Sequence, residues 1–273
     1  GGDCEPKSFL KVLPLKQRFM QTTRYIMNAF SFFNPFIMIP AAKAVAILAR
    51  TPNSAHVIPR CFQHKTKVIL ETAMEEKIFE HRKKKRKDDT IIRLITTGRL
   101  LPNKNILTAV RALKYIPQKH GISFTIVGSG YQREDIEVEA QKNGWGDYVK
   151  VIAEMPRQDV LELVEQSDIF LFPSLREGGS WSLMEAMAIG LPVICLDWAG
   201  MAITVDDTCA IRLPVTNPKQ MPKDMANAII KLIENPELRE QMGEAGRKRI
   251  KDVFNWEAKG EFMEQLLDSL DKN

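Results

Sequence analysis

The stretch Asp168-Ile-Phe-Leu-Phe172-Pro-Ser174-Leu-Arg-Glu177-Gly178-Gly179-Ser180-Trp-Ser-Leu-Met-Glu185-Ala-Met-Ala-Ile-Gly190-Leu-Pro192 decides how the chain folds. Its first residues form an apolar run rich in Ile, Leu and Phe, the pattern of a strand buried on both faces. A Gly-Gly loop follows, Ser180 stands where a helix cap belongs, and Gly190 closes the helix that it starts. Another apolar run, Pro192–Leu196, comes directly after. A strand that returns through a helix to a second strand makes a parallel sheet.

The same alternation extends in both directions. Ile91–Thr97, Ser123–Val127 and Tyr148–Ala153 are expected strands, as are Asp168–Pro173 and Pro192–Leu196. Helical patterns near 105–115, 131–143, 157–166 and 181–189 separate them, so a doubly wound α/β sheet is expected from Thr90 onward. After Cys209–Leu213 come three helical segments, at about 218–234, 236–252 and 256–270. Asn235-Pro236 divides the first two, with Pro at the first helical turn. The first 80 residues read differently. Lys16–Ser31 and Ala41–Ala49 look helical, and Val57–Pro59 and Lys67–Leu70 look like short strands. No complete alternating unit can be assembled from them, and Phe19, Tyr25, Phe30, Phe32, Phe33 and Phe36 need a partner surface.

Composition narrows the functional class. The 273 residues are 44% hydrophobic and 27% charged, which excludes a disordered, collagenous or disulfide-scaffold chain. Cys4, Cys61, Cys195 and Cys209 lie far apart, without metal-ligand spacing, and read as reduced thiols. The net charge of +5 is concentrated in the first third and in His81-Arg-Lys-Lys-Lys-Arg-Lys87, and no Asp or Glu occurs between Pro6 and Leu70. A general nucleic-acid protein is more often basic throughout. The charge run at 81–89 therefore reads as a solvated linker, and no nucleic-acid partner is expected. The apolar stretch Phe30–Leu48 is interrupted by Asn34, Pro35, Pro40 and Lys43 and falls short of a membrane span. The Gly1-Gly2 start suggests a piece of something longer.

Three features sit at the carboxyl ends of expected strands, where open α/β sheets bind ligands. One is Gly98-Arg99-Leu-Leu-Pro-Asn-Lys104-Asn105, whose two cations can flank a phosphate together with a helix N-terminus. A surface Arg and a capping Asn would explain it equally well. Another is Val127-Gly128-Ser129-Gly130, which lacks the third Gly of a dinucleotide fingerprint and reads as a tight turn. The strongest is Glu177-Gly178-Gly179-Ser180 with Glu185 eight positions after Glu177. Its amides offer an anion site, and its two carboxylates would only repel a bare phosphate. They suit a ligand with phosphate in its middle and hydroxyls at both ends, which is a nucleotide sugar.

Taken in order over about residues 40–270, these pieces resemble the carboxyl-terminal half of a GT-B fold glycosyltransferase of family 4 (group 1). The match includes the Gly-Arg…Lys-Asn loop, the Val-Gly-Ser-Gly turn, the E-x7-E block and Phe254-Asn-Trp256. The resemblance implies residues 1–80 as part of an acceptor domain, 81–89 as a basic linker and 90–254 as the donor-binding domain. Residues 255–273 would form a helix crossing back to the acceptor side. It further implies a retaining transfer of a hexose from a nucleotide sugar to a saccharide or lipid-linked acceptor. That transfer would need no cofactor or metal. The expected setting is cytoplasmic, in surface polysaccharide or glycolipid assembly, with peripheral membrane contact.

In that scheme Arg99 and Lys104 bind the diphosphate, Glu177 contacts the sugar, and Gly178, Gly179 and Ser180 supply amides near it. Glu185 holds the ribose, Gly98, Gly128 and Gly130 line the cleft, and Ala153–Met155 lie near the base. The family often has a bulky apolar residue and a Gly after the first Glu-Gly, where this chain has Gly179-Ser180-Trp181. His56, His64, His81 and His120 match no donor-positioning motif and read as surface or linker residues. No role follows for Met201 and Thr204. Other readings stay open: a nucleotide-sugar-binding fragment without transfer activity, an epimerase, or a phosphorylase, for which no pyridoxal lysine can be located.

Overall fold

The computed structural model describes residues 4–85, 90–117 and 120–271. In chain order its regular elements are α1 (Leu15–Ala29), α2 (Pro35–Lys43), β1 (Ile47–Ala49), α3 (Pro52–His56), β2 (Thr66–Val68), β3 (Ile92–Thr97) and α4 (Ile106–Leu113). They continue with β4 (Ile122–Val127), α5 (Arg133–Lys142), β5 (Val149–Ile152), α6 (Arg157–Glu165), β6 (Ile169–Phe172) and α7 (Trp181–Ile189). The last are β7 (Val193–Leu196), α8 (Met201–Thr204), β8 (Ala210–Leu213), α9 (Met221–Glu234), α10 (Pro236–Val253) and α11 (Trp256–Asp271).

Six strands form one parallel sheet in the order β5-β4-β3-β6-β7-β8. Chain order runs outward from β3 to β5 on one side and from β6 to β8 on the other. The direction of winding therefore reverses between β3 and β6, and a crevice opens there at the carboxyl ends of the strands. Every residue of β6 and β7 is buried, as expected for parallel strands covered on both faces by helices. Complete burial of one such side chain, Phe170, is worth about 2–3 kcal/mol. The five expected strands and four expected crossover helices form within two residues of their anticipated ends. Ala210–Leu213 adds the sixth strand, and α8 is a short helix that the periodicity did not announce.

α7 is buried almost all round. Seven of its nine residues are buried, Glu185 being the only charged one. Ser180 caps it by accepting the Leu183 amide at 3.5 Å, and Gly190 ends it at φ +100°. On its far side α7 meets α10, where the Gly243 Cα stands so close to the Gly190 carbonyl that a Cβ would lie 2.1 Å from it.

The amino-terminal part departs from expectation in two places. The helix expected over Ala41–Ala49 stops at Lys43, and Ile47–Ala49 is instead strand β1, paired in parallel with β2. An unbroken run of Ala, Val, Ile and Leu suits either state, and Ala44 turns to extended backbone at ψ 137°. Val57–Pro59 is no strand. Thr51 and Ser54 form a capping box that starts α3, and Val57 continues in helical geometry. β1 and β2 form a two-stranded sheet by themselves.

Phe9, Leu70, Met74 and Ile78 from this part join the main core. Phe19, Phe33 and Phe36 remain exposed, as do Leu15 and Met27. Tyr25, one of the aromatics in need of a partner surface, is half-buried: its hydroxyl donates to the Glu5 carbonyl at 2.5 Å, and burial pushes its pKa up to about 12. The Phe32 side chain lies outside the described residues. α11 begins beside this part, where Met74 bridges Asn255. Burial lowers the Lys259 ammonium pKa, opposed by nearby Glu71.

The basic segment expected as a solvated linker is fastened down over its described residues, 81–85. Residues 86–89 lie outside the description. Lys83 and Lys84 donate their amides to Ile189 and Glu165 at 2.9 and 2.8 Å. His81 Nδ1 and Lys84 Nζ reach the two Glu165 carboxylate oxygens at 2.6 and 2.7 Å. Arg247 donates to the Phe79, His81 and Ala188 carbonyls, the first two at 2.6 and 2.8 Å. His81 is thus largely covered, contrary to expectation, as is His120; His56 and His64 are exposed.

Candidate functional site

The crevice between β3 and β6 holds a cavity of about 1090 Å³. Its walls come from the loops after β3, β4, β5 and β6 together with the first turns of α7. Nine of the ten residues proposed from sequence line it: Gly98, Arg99, Lys104, Gly128, Gly130, Glu177, Gly179, Ser180 and Glu185. Gly178 does not, being turned toward Arg50 of the amino-terminal part, whose Nη2 would be 2.6 Å from a Cβ placed there. Ala153 is absent from the wall, where its neighbours Glu154 and Met155 stand. Met201 and Thr204 are buried away from it.

Backbone contacts set the loops. Asn105 sits in the left-handed region at φ +55°, where asparagine is tolerated. Its side chain donates to the Pro173 carbonyl at 3.2 Å and accepts from Thr108 at 2.7 Å. The Leu175 amide donates to the Asn103 carbonyl at 2.8 Å. These bonds lock the β3–α4 loop to the end of β6, so Lys104 and Glu177 meet although 73 positions separate them. Lys104 Nζ donates to Glu177 Oε1, and Ser174 donates to the same oxygen at 2.9 Å. Neither Lys104 nor Glu177 is much exposed. The Gly200 amide holds the Glu177 carbonyl at 3.0 Å from the other side.

Glu185 occupies the second position. Arg157 Nε donates to its Oε1 at 2.7 Å, so a nearly buried carboxylate is paired rather than stranded. Arg99 lines the cleft with no ion pair of its own among the described residues, which leaves its guanidinium available to an anion. The arrangement therefore offers one uncommitted cation, two carboxylates each with an oxygen to spare, and the amides at the start of α7. Met155 and Val160 provide an apolar wall for a planar ring. No group of three or more His, Cys, Asp or Glu side chains suited to a metal occurs among the described residues.

Arg157, Ser174 and Val160 were not singled out in the sequence, and Trp181 was noted only as a departure from the family pattern, whereas Met155 stands in the wall as expected. The signal for the first was its place: it starts α6, immediately after β5, on the same sheet edge as the other loops. Ser174 and Trp181 lie inside the E-x7-E stretch, but their roles depend on side-chain direction.

A family model, that of the glycosyl transferases group 1, matches residues 77–249. Among curated relatives, an uncharacterized glycosyltransferase of Methanocaldococcus jannaschii is 30% identical over 68% of this chain and 47% of its own. A GDP-mannose-dependent monoacylated alpha-(1-6)-phosphatidylinositol monomannoside mannosyltransferase of Corynebacterium glutamicum is 28% identical over 69% of this chain and 50% of its own. The chain thus spans about half the length of these curated relatives. Among solved structures, the sucrose-phosphate synthase of Thermosynechococcus elongatus superposes with a TM-score of 0.70, 23% identity and coverage of 98% of this chain and 67% of that one. HepE of Anabaena, in complex with UDP, superposes at 0.71, with 17% identity and coverage of 85% and 66%. These likenesses share the GT-B fold. Because the matched segment contains every wall of the cleft, the chain belongs to the glycosyl transferases group 1.

Proposed function

We propose that this chain carries the donor site of a retaining hexosyltransferase, which moves a hexose from a nucleotide sugar to a saccharide or lipid-linked acceptor. The observation that carries the reading is the meeting of Lys104–Glu177 and Arg157–Glu185 in one cleft at the sheet's switch point. Each carboxylate has one oxygen engaged by a cation and another free to accept ligand hydroxyls. Glu177 faces the sugar, Glu185 the ribose diol, and Arg99 with Lys104 meets the diphosphate between them. As the sugar departs, negative charge grows on the diphosphate, and preorganised cations there lower the barrier. In this reading those cations and the α7 N-terminus take the place of a metal. The UDP held by HepE and the GDP-mannose in the corynebacterial relative's name support a nucleotide-sugar donor, with base and sugar left open.

The lipid-linked acceptor and the membrane setting form part of the proposal. No described helix is long and apolar enough to cross a membrane. The support lies in the acid-free amino-terminal surface, where exposed Leu15, Phe19 and Met27 stand among Lys16, Arg18 and Arg24.

Calorimetry with nucleoside, nucleoside diphosphate and nucleotide sugar tests the division of labour. Glu177→Gln is expected to spare diphosphate binding and lose the sugar's increment. Glu185→Gln should weaken all three ligands by about 1.5–3 kcal/mol, the range for a charged hydrogen bond. Identical profiles for the two variants would refute it, and an inverted anomeric configuration in the product would refute retention. The same measurements distinguish a second reading, binding of the donor without its transfer: donor binding with no product would favour it.

A further inference from the structure

β1 and β2 run parallel, and just beyond their carboxyl ends stand Arg50 and Thr72, which pack on Gly178 and Gly179 of the E-x7-E loop. The two contacts differ in stiffness. Arg50 meets Gly178 with the far end of a long, exposed side chain, paired with Glu71 at 2.5 Å, and can swing aside. Thr72 has a short β-branched side chain with one bond to turn about, and it is buried between Leu70 and Ala73. It cannot give way.

A Cβ at position 179 would lie 1.8 Å from Thr72 Oγ1 and 2.5 Å from Thr72 Cβ, and the three atoms nearest to it all belong to Thr72. Gly179 has no positive φ, so its backbone would accept any residue. Space alone, taken by Thr72, keeps a side chain out. The loop is gripped a second time by Gly200, whose amide donates to the Glu177 carbonyl at 3.0 Å. A Cβ on Gly200 would lie 1.8 Å from the Gly178 carbonyl oxygen, and Ala199 before it holds a left-handed φ of +52°. Held at both places, the loop has little room to retreat. Glu177, Gly179 and Ser180 all line the donor cleft, so whatever sets Gly179 also sets the groups that meet the sugar.

We propose that Thr72 is a positioning residue for the sugar half of the donor site. Its side chain takes the space that a side chain at position 179 would need, and so fixes the loop that carries Glu177. This rests on the donor-site reading and adds a residue from outside the matched segment 77–249. The amino-terminal part thereby shapes recognition of the sugar through the loop.

Calorimetry on the whole chain with UDP, UDP-glucose, GDP and GDP-mannose gives the increment that each sugar adds to its nucleotide. Thr72→Gly should cut that increment about tenfold while nucleotide affinity holds, as expected for one displaced charged hydrogen bond. Gly179→Ala should also cut it, and by more than it cuts the affinity for nucleotide alone. The double variant should recover most of the loss, because the methyl group then enters the vacated space, and contacting residues couple in this way. Thr72→Ser retains Cβ and Oγ1, so it should match wild type alone and rescue nothing when combined with Gly179→Ala. A double variant no better than Gly179→Ala, rescue by Thr72→Ser, or equal losses for nucleotide and nucleotide sugar would overturn the proposal. If Gly179→Ala fails to fold, Thr72→Gly with an unchanged sugar increment overturns it as well. Wild-type chain that binds none of the four ligands would sink the donor reading and this proposal with it. Wild-type binding with uncoupled variants sinks the proposal alone.

Discussion

Position 128 illustrates how much a single residue can settle at this site. Gly128 has φ +151°, and a Cβ there would lie 1.9 Å from the Gly98 carbonyl oxygen, a backbone atom with no freedom to swing away. Gly128→Ala must therefore push apart the β3 and β4 loops that line the donor cleft. The expected cost is about 1–3 kcal/mol of stability, measured by urea denaturation, with a parallel loss of nucleotide affinity. A variant with wild-type stability and affinity would show that the loops are not held by this contact. The glycine pair was legible in sequence as a tight turn, but the carbonyl that demands it was not, because it belongs to another loop. The same limit applies to the carboxylates. Glu177 and Glu185 declared themselves by spacing and setting, whereas their partners Lys104 and Arg157 could be matched to them only through the fold.

Among the elements, α7 carries the greatest burden, since it presents Glu185 on one side and supports α10 on the other. The second contact is made by glycine against glycine, with no room at Gly243 for even a methyl group. Gly243→Ala should displace α10 and cost about 1–3 kcal/mol. Gly260→Ala in α11, where nothing lies within 4 Å, should instead stabilise by about 0.5–1 kcal/mol through helix propensity. Thermal unfolding of the two variants reads the contrast, and a shift of the same sign in both would contradict it. Strands β6 and β7 could be read from sequence because burial on both faces leaves only apolar residues, and β3 and β4 because apolar residues still dominate them. Among the amino-terminal elements, α1 and β2 were legible as the helix over Lys16–Ser31 and the strand over Lys67–Leu70, but β1 was not, since a three-residue strand is too short to show a period. Ala44–Ala49 is apolar in a way that fits helix and strand alike, and pairing with β2 decides the matter.

Over the whole molecule, the 81–85 segment knits parts that are far apart in sequence, and Glu165 is its anchor. Burial pushes the Glu165 carboxyl pKa up, but hydrogen bonds from Lys84 and His81 outweigh that and hold it below the ordinary value of 4.5. The folded state therefore favours the ionised form. The resulting stability is fully present above that ordinary value and is lost as pH falls through the lower, folded-state pKa. Glu165→Gln should destabilise at neutral pH and flatten the acid limb of the stability curve. Denaturation midpoints that differ from wild type by a constant amount down through the acid range would rule out this linkage. A further consequence follows from Met74, whose amide donates to the Phe254 carbonyl at 2.6 Å while Met74 bridges Asn255. The chain passes beside itself here, just before α11 begins. Thr72, which packs against Gly179 two residues before Met74, is thereby held against the mouth of the cleft by that fastening.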